Sequence, residues 1–304
     1  MHDHGHGHHH DHAPENYDWA FGVGVTLNTG FVAAEIIFGL AANSVALLAD
    51  AMHNLGDVLA LLLSWAAAWL ARRPPTRSRS YGWGRFSILA ALANAVLLLL
   101  AVGAIGWEAV QRLRAPEPVM EVTIIWVATL GILVNGATAA MFLRGRAADL
   151  NIRAAFQHMA ADAAVSCGVV IAALLVWWTG KFWIDPLTSL AIVCIITIGT
   201  WGLLRQSVAL ALDAVPGGIS LEAVETCLLG LPGVTEVHDL HVWGLSTSDT
   251  AMTAHLVCAI APAPGLLPRA THLVRHDFGI RHATFQIETR EDAEACHLRP
   301  DHVV

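Results

Sequence analysis

Within LLADAMHNLGDVLAL, Leu47 to Leu61, His53 and Asp57 stand four residues apart in an otherwise apolar run. A helix brings residues at that spacing one above the other on a single face. About a hundred residues later AAFQHMAADAAVSCGVV, Ala154 to Val170, repeats the arrangement with His158 and Asp162. Two such faces brought together supply two imidazoles and two carboxylates, the number and type of ligands that tetrahedral zinc accepts. A carboxylate near a bilayer centre costs about 2.5 to 3.5 kcal/mol on insertion scales, so ionisable groups there mark a site or a pathway. One pair alone reads equally well as two residues that satisfy each other or face a water pocket. The same spacing on two separate helices favours ligands.

The elements that carry these residues are membrane spans. Of 304 residues 55% are hydrophobic and only 14% charged, too few polar residues for a soluble chain of this length. Acidic residues outnumber basic ones, 25 to 17, for a formal charge of -8, and nothing suggests nucleic-acid binding. Cys167, Cys194, Cys227, Cys258 and Cys296 lack CxxC spacing and form no disulfide framework. Six apolar runs are long enough to cross about 30 Å of hydrocarbon: 18–40, 44–71, 84–113, 119–143, 150–179 and 184–212. The connections after the second and fourth runs hold Arg72, Arg73, Arg77, Arg79, Arg85, Arg144, Arg146 and Arg153, against Arg112, Arg114 and Lys181 on the other side. That asymmetry places both termini in the cytoplasm. By these limits His53 and Asp57 lie nearer the outer surface and His158 and Asp162 nearer the cytoplasm. Their meeting therefore requires an axial offset between the two helices or an extended fifth helix.

Residues 1–17 form a histidine-rich tract expected to be disordered; seven histidines in MHDHGHGHHHDH suit divalent-metal capture, and a purification tag is the alternative. Residues 18–213 form the transmembrane domain. Its other polar residues include Asn28, Glu35, Asn135 and Ser166, with Asn43 and Ser44 resembling a helix N-cap and Asp50 on the face of His53 and Asp57. The breaker cluster Val215-Pro216-Gly217-Gly218 opens a soluble domain over 214–290, with a helix near 220–230, strands near 234–244 and 251–260, a helix near 266–278 and a strand near 282–289. This αββαβ order predicts a small α+β sandwich with its helices on one face of the sheet. Residues 291–304 form a tail containing Cys296 and His297.

The chain resembles the cation diffusion facilitator family, zinc-type metal/proton antiporters. The likeness is carried by NSVALLADAMHNLGDVLALLLSW at 43–65, YGWGR at 81–85, LNIRAAFQHMAADAAVSCGVV at 150–170, IDPLTSL at 184–190, VHDLHVWGL at 237–245 and IRHATFQIE at 280–288. It implies an all-α six-helix transmembrane domain, a cytoplasmic α+β metallochaperone-like domain, a homodimer and alternating access. The family's transport site falls on His53, Asp57, His158 and Asp162. Its cytoplasmic metal ligands correspond to His238, His255, His272 and the region Gln286 to Glu288, to which Cys296 and His297 are candidates for completing a site. His241 and Trp243 belong to a strand motif and are expected to be structural. Relatives with a further membrane-proximal site carry His and Asp between the second and third spans. Here RRPPTRSRSYGWGR has neither, so that site is expected to be absent.

The resulting expectation is a secondary active exporter that moves Zn2+ out of the cytoplasm in exchange for protons, in a bacterial inner membrane. Zn2+ is its transported substrate and a candidate structural or regulatory ion. No organic cofactor and no nucleotide-binding motif are expected. Two other classes share some of these features: a membrane-bound metal sensor and an intramembrane metallohydrolase, although HExxH is absent.

Overall fold

Apolar runs bounded by Arg-, Pro- and Gly-containing connections become the six long helices of the computed structural model, which describes residues 18–142, 150–259 and 264–299. They are α1 (Asp18–Ala41), α2 (Val45–Ala71), α3 (Phe86–Arg114), α4 (Glu121–Phe142), α5 (Leu150–Thr179) and α6 (Ile184–Ala211), each end within two residues of the sequence expectation. Among the described residues five helices are long and apolar enough to cross a membrane, and α1 adds a shorter apolar stretch, Val25–Ala41. The histidine-rich tract and the last residues of the tail lie outside the described residues. The described chain divides into two compact units, one within 1–58 and 103–193, the other within 59–102 and 194–304.

In the first unit α4 packs closely along α5 and α1. Gly131 makes this possible: a Cβ there would lie 2.5 Å from Phe31 Cζ of α1 and 2.9 Å from Ser166 Oγ of α5. The start of α2 is held from another helix. Asp185, in the first turn of α6, accepts hydrogen bonds from Ser44 Oγ (2.5 Å) and the Val45 amide (2.9 Å). Ser44 Oγ also accepts from the Leu47 amide at 3.1 Å, so Ser44 is the N-cap and Asp185 supplements it. Asn43 has a different task from the capping expected of it. Its backbone is left-handed (φ 57°) at the turn after α1, where Arg112 donates to both its carbonyl and its side-chain oxygen, each at 2.6 Å.

In the second unit, α7 (Leu221–Leu229), β1 (Val234–Gly244), β2 (Thr250–Cys258), α8 (Leu266–Phe278) and β3 (His282–Thr289) follow the expected αββαβ order. The sheet order is β1-β2-β3, with β1 and β2 antiparallel and β2 and β3 parallel. Strand alternation sorts the two faces. Met252, Ala254 and Leu256 of β2 pack with Val224 and Leu228 of α7 and with Ala270 and Val274 of α8 in one apolar core. His255 and its neighbours in register, His238 and Gln286, fall on the opposite face.

Two further features complete this unit. A short helix, α9 (Arg290–Ala295), follows β3 directly behind a Thr289/Asp292 capping box. The YGWGR segment and the first turn of α3 rest against the β1–β2 turn: Ser87 Oγ accepts from the Thr247 amide at 3.0 Å, and a Cβ on Gly84 would lie 2.9 Å from the Leu245 carbonyl oxygen. Arg85 beside them forms an ion pair with Asp213, just after α6.

Candidate metal centres

All four members of the doubled HxxxD pattern converge. His53 Nε2 lies 3.2 Å from Asp162 Oδ1, His158 Nε2 lies 3.4 Å from Asp57 Oδ2, and the two contacts within each helix, His53 to Asp57 and His158 to Asp162, are each 3.8 Å. Ligand atoms around tetrahedral zinc at its usual bond lengths are about 3.3 Å apart; His53 meets Asp162 through Nε2 and Asp57 through Nδ1, so its ring must turn for one nitrogen to face both carboxylates. His53, Asp57 and Asp162 offer ligand atoms all within 4.8 Å of one another, and His158 reaches both carboxylates. His53 Nδ1 and Asp57 Oδ2 are buried without a hydrogen-bond partner, as unused ligand atoms would be. Exposure rises from 2% at the Asp162 side chain to 42% at His158, so the centre is reached from the His158 end.

The helices meet antiparallel in one register: Asp57 faces His158, His53 faces Asp162, and Asp50 accepts from Ser166 Oγ at 3.1 Å. Extrapolating that register at 1.5 Å per residue, α5 continues about 12 Å past the start of α2. This is the axial offset that the span limits required. Beside the quartet Asn54 donates to Glu35 Oε2 at 2.9 Å, and Glu35, Asp50 and Ser166 are fully buried. The sequence reading named Glu35, Asp50 and Ser166 as polar companions without pairing them, and it passed over Asn54.

A second cluster occupies the sheet face opposite the helices in the α+β domain. His255 Nδ1 is 2.9 Å from Glu288 Oε1 and 3.2 Å from His238 Nε2, while His238 Nε2 is 3.3 Å from Glu288 Oε2. Cys296 Sγ lies 3.7 Å from His255 Nδ1, and ligand atoms of these four residues fall within 4.8 Å of one another. Imidazole, carboxylate and thiol make a donor set that suits zinc. His238, His255 and Glu288 are buried at 5%, 8% and 4% exposure, and Glu288 Oε2 has no hydrogen-bond partner, which fits an ion site better than a solvated strand surface.

A bulge between His238 and His241 places Asp239 in left-handed backbone (φ 49°). Its carboxylate lies 3.4 Å from His255 Nε2 and 2.8 Å from His241 Nε2. It thereby steadies the ring whose other nitrogen faces the cluster. Asp239 was missed from sequence, although it lies inside the quoted VHDLHVWGL. Gln286 donates to Glu288 at 2.8 Å, and His297 lines the same depression as Cys296. The tail is clasped by Arg299, which makes paired bonds of 2.8 and 2.9 Å to Glu236 and holds that carboxyl below the usual carboxylate range. His272 is elsewhere: it stacks on His276 at 5.8 Å on α8, across the sheet from the cluster.

Residues 22–210 match the cation efflux transmembrane domain and residues 216–290 the cation efflux protein cytoplasmic domain. The metal cation efflux system protein CzcD of Cupriavidus metallidurans is 35% identical over 287 residues, covering 93% of this chain and 91% of that protein. The zinc transporter ZitB of Escherichia coli is 35% identical over 285 residues, with 92% and 89% covered. The cadmium, cobalt and zinc/H(+)-K(+) antiporter of Bacillus subtilis is 31% identical over 267 residues, with 86% of each covered. A multi-pass bundle of apolar helices joined to a small α+β domain, with these relatives, defines a metal cation efflux transporter and not an enzyme. The chain belongs to the cation diffusion facilitator family.

Proposed function

We propose that this transporter exports Zn2+ from the cytoplasm in exchange for protons, with His53, Asp57, His158 and Asp162 as ligands of the ion in transit. The observation that carries the reading is the convergence of two imidazoles and two carboxylates at 3.2 to 3.8 Å from two antiparallel helices. Imidazole suits zinc, whereas all-oxygen shells suit harder ions. These ligands shed protons to bind metal and regain them when it leaves, which couples the two fluxes at one place. With Arg-rich connections on the cytoplasmic side, both termini are cytoplasmic and the exposed His158 end of the centre faces the cytoplasm. The conformation is therefore ready to load.

The cytoplasmic domain serves as the dimerisation module of a homodimer. It binds a structural or regulatory ion through His238, His255, Glu288 and Cys296, with His297 beside them and His272 on a surface open to the second subunit. The test is zinc flux by the full chain in proteoliposomes under an imposed pH gradient. Uptake that follows the gradient and collapses with it supports exchange, whereas metal binding with no flux favours a sensor. His53→Asp should weaken discrimination against Cd2+ or Mn2+ and shift the optimum to higher pH; an unchanged zinc preference would move selectivity to the packing around the site.

A further inference from the structure

One turn above the quartet lies a pair of buried groups to which the metal chemistry gives no role. Glu35 of α1 and Asp50 of α2 are both fully buried, and Asp50 stands one turn before Asn54, the residue that donates to Glu35, on the same face of α2. Each is fixed through one oxygen: Asn54 donates to Glu35 Oε2 at 2.9 Å and Ser166 donates to Asp50 Oδ2 at 3.1 Å. The remaining oxygens, Glu35 Oε1 and Asp50 Oδ1, are buried without a hydrogen-bond partner. Two ionised carboxylates present only acceptors to each other, so burying both in one water-free place favours a proton on one of them.

The charged groups facing the pair are His53 on α2 and Asp162 on α5, both members of the quartet. The neighbouring α4 carries its single charged residue, Glu121, at its first position, away from the middle of the helix. Among the described residues no arginine or lysine acts on the pair to neutralise a second negative charge, and in a site shielded from water charges act over longer distances than in solvent.

We propose that Glu35 and Asp50 form a proton-binding site of the exchange cycle, separate from the metal ligands, which holds one shared proton while the quartet is empty of metal. When Zn2+ enters the quartet, its charge is felt at the pair and the shared proton leaves to water, so that both carboxylates become ionised and offset the ion. When the metal departs on the far side, one proton returns between Glu35 Oε1 and Asp50 Oδ1. The stoichiometry then includes one proton beyond those displaced from the ligands themselves. This proposal rests on the exchange reading above and adds a carrier to it.

The experiment uses the full chain reconstituted in lipid, with infrared difference spectra recorded on adding zinc. The expected result is loss of a protonated-carboxyl C=O band that is absent from Glu35→Gln and from Asp50→Asn, and that persists through zinc addition in Asp57→Ala. Calorimetry in buffers of different ionisation enthalpy should show about one proton fewer released per zinc bound at the quartet in either neutral variant. A wild-type spectrum without such a band, or proton release unchanged in a folded Glu35→Gln or Asp50→Asn protein, overturns the proposal. If neither variant folds, the wild-type band and its response to zinc decide alone. The exchange reading fails separately, when wild-type flux ignores the pH gradient.

Discussion

Asp57 Oδ2 is closer to His158 Nε2 on the neighbouring helix, at 3.4 Å, than to His53 Nδ1 on its own, at 3.8 Å. Asp162 repeats the relationship, 3.2 Å from His53 and 3.8 Å from His158. Each carboxylate thus bridges α2 and α5 instead of completing a pair within its own helix. Asp57→Ala or Asp162→Ala removes a ligand and half of the site's negative charge. Flux should fall by more than the roughly 10–100-fold typical of losing an outer-shell partner, with insertion and dimer formation retained. Zinc uptake by reconstituted variants measures it; wild-type rates in a folded variant would displace the transport site.

The tight crossing at Gly131 gives a packing prediction. Gly131→Ala places a methyl 2.5 Å from Phe31 Cζ and 2.9 Å from Ser166 Oγ, so one must move. A loss of about 1 to 3 kcal/mol is expected for such overpacking. At Gly136 of the same helix nothing lies within 4 Å of the added carbon, and Ala there should be neutral or slightly stabilising. Thermal unfolding of the two variants in one detergent compares them directly. Equal melting temperatures would contradict the close contact.

Asp185→Asn tests the cap supplied across helices. The wild-type carboxylate receives Ser44 Oγ and the Val45 amide on its two oxygens, whereas the amide has one acceptor oxygen. Losing one such bond in a buried place costs about 1 to 3 kcal/mol. The expected signature is faster hydrogen exchange at the first turn of α2, with the cytoplasmic domain unchanged.

For the cytoplasmic domain, saturating zinc should raise the melting temperature of a 214–304 fragment, by the equivalent of about 2.7 kcal/mol at a hundred times the dissociation constant. Cys296→Ser or His255→Ala should reduce the rise. Arg299→Ala addresses the tail clasp. Because Arg299 depresses the folded-state pKa of Glu236, their contribution is present above the ordinary carboxylate range and is lost as the pH falls through the folded value. Melting curves of wild type and Arg299→Ala should therefore differ at neutral pH and converge in acid; a constant gap would assign the effect to packing.

Much of this molecule is readable in its residues because period and spacing are local properties. Apolar runs set the six helices, alternation in VHDLHVWG and TAMTAHLVC set the strands, and the doubled HxxxD named its quartet. What escaped depends on distance in space. Asp185 lies 141 residues from Ser44, and nothing local to either reveals the cap that joins them. Glu35 and Asp50 looked like separate polar residues, since only helix packing makes them neighbours. Asp239 needed a bulge that strand alternation does not announce. The helix α9 was within reach: Thr289 followed three residues later by Asp292 is a capping signal, passed over in a segment read as tail.

The shared register of α2 and α5 limits how the proposed transport centre can open. Its three rungs, Asp57 with His158, His53 with Asp162 and Asp50 with Ser166, are set by one alignment of two helices. Sliding α5 by one turn, about 5.4 Å, would part all three together. Parting one rung alone would require a helix to bend between rungs: α5 has neither proline nor glycine from His158 to Ser166, whereas α2 carries Gly56 between His53 and Asp57. The ladder therefore has one joint: at Gly56 the rung of Asp57 with His158 can swing away by itself, while His53 with Asp162 and Asp50 with Ser166 hold or part together.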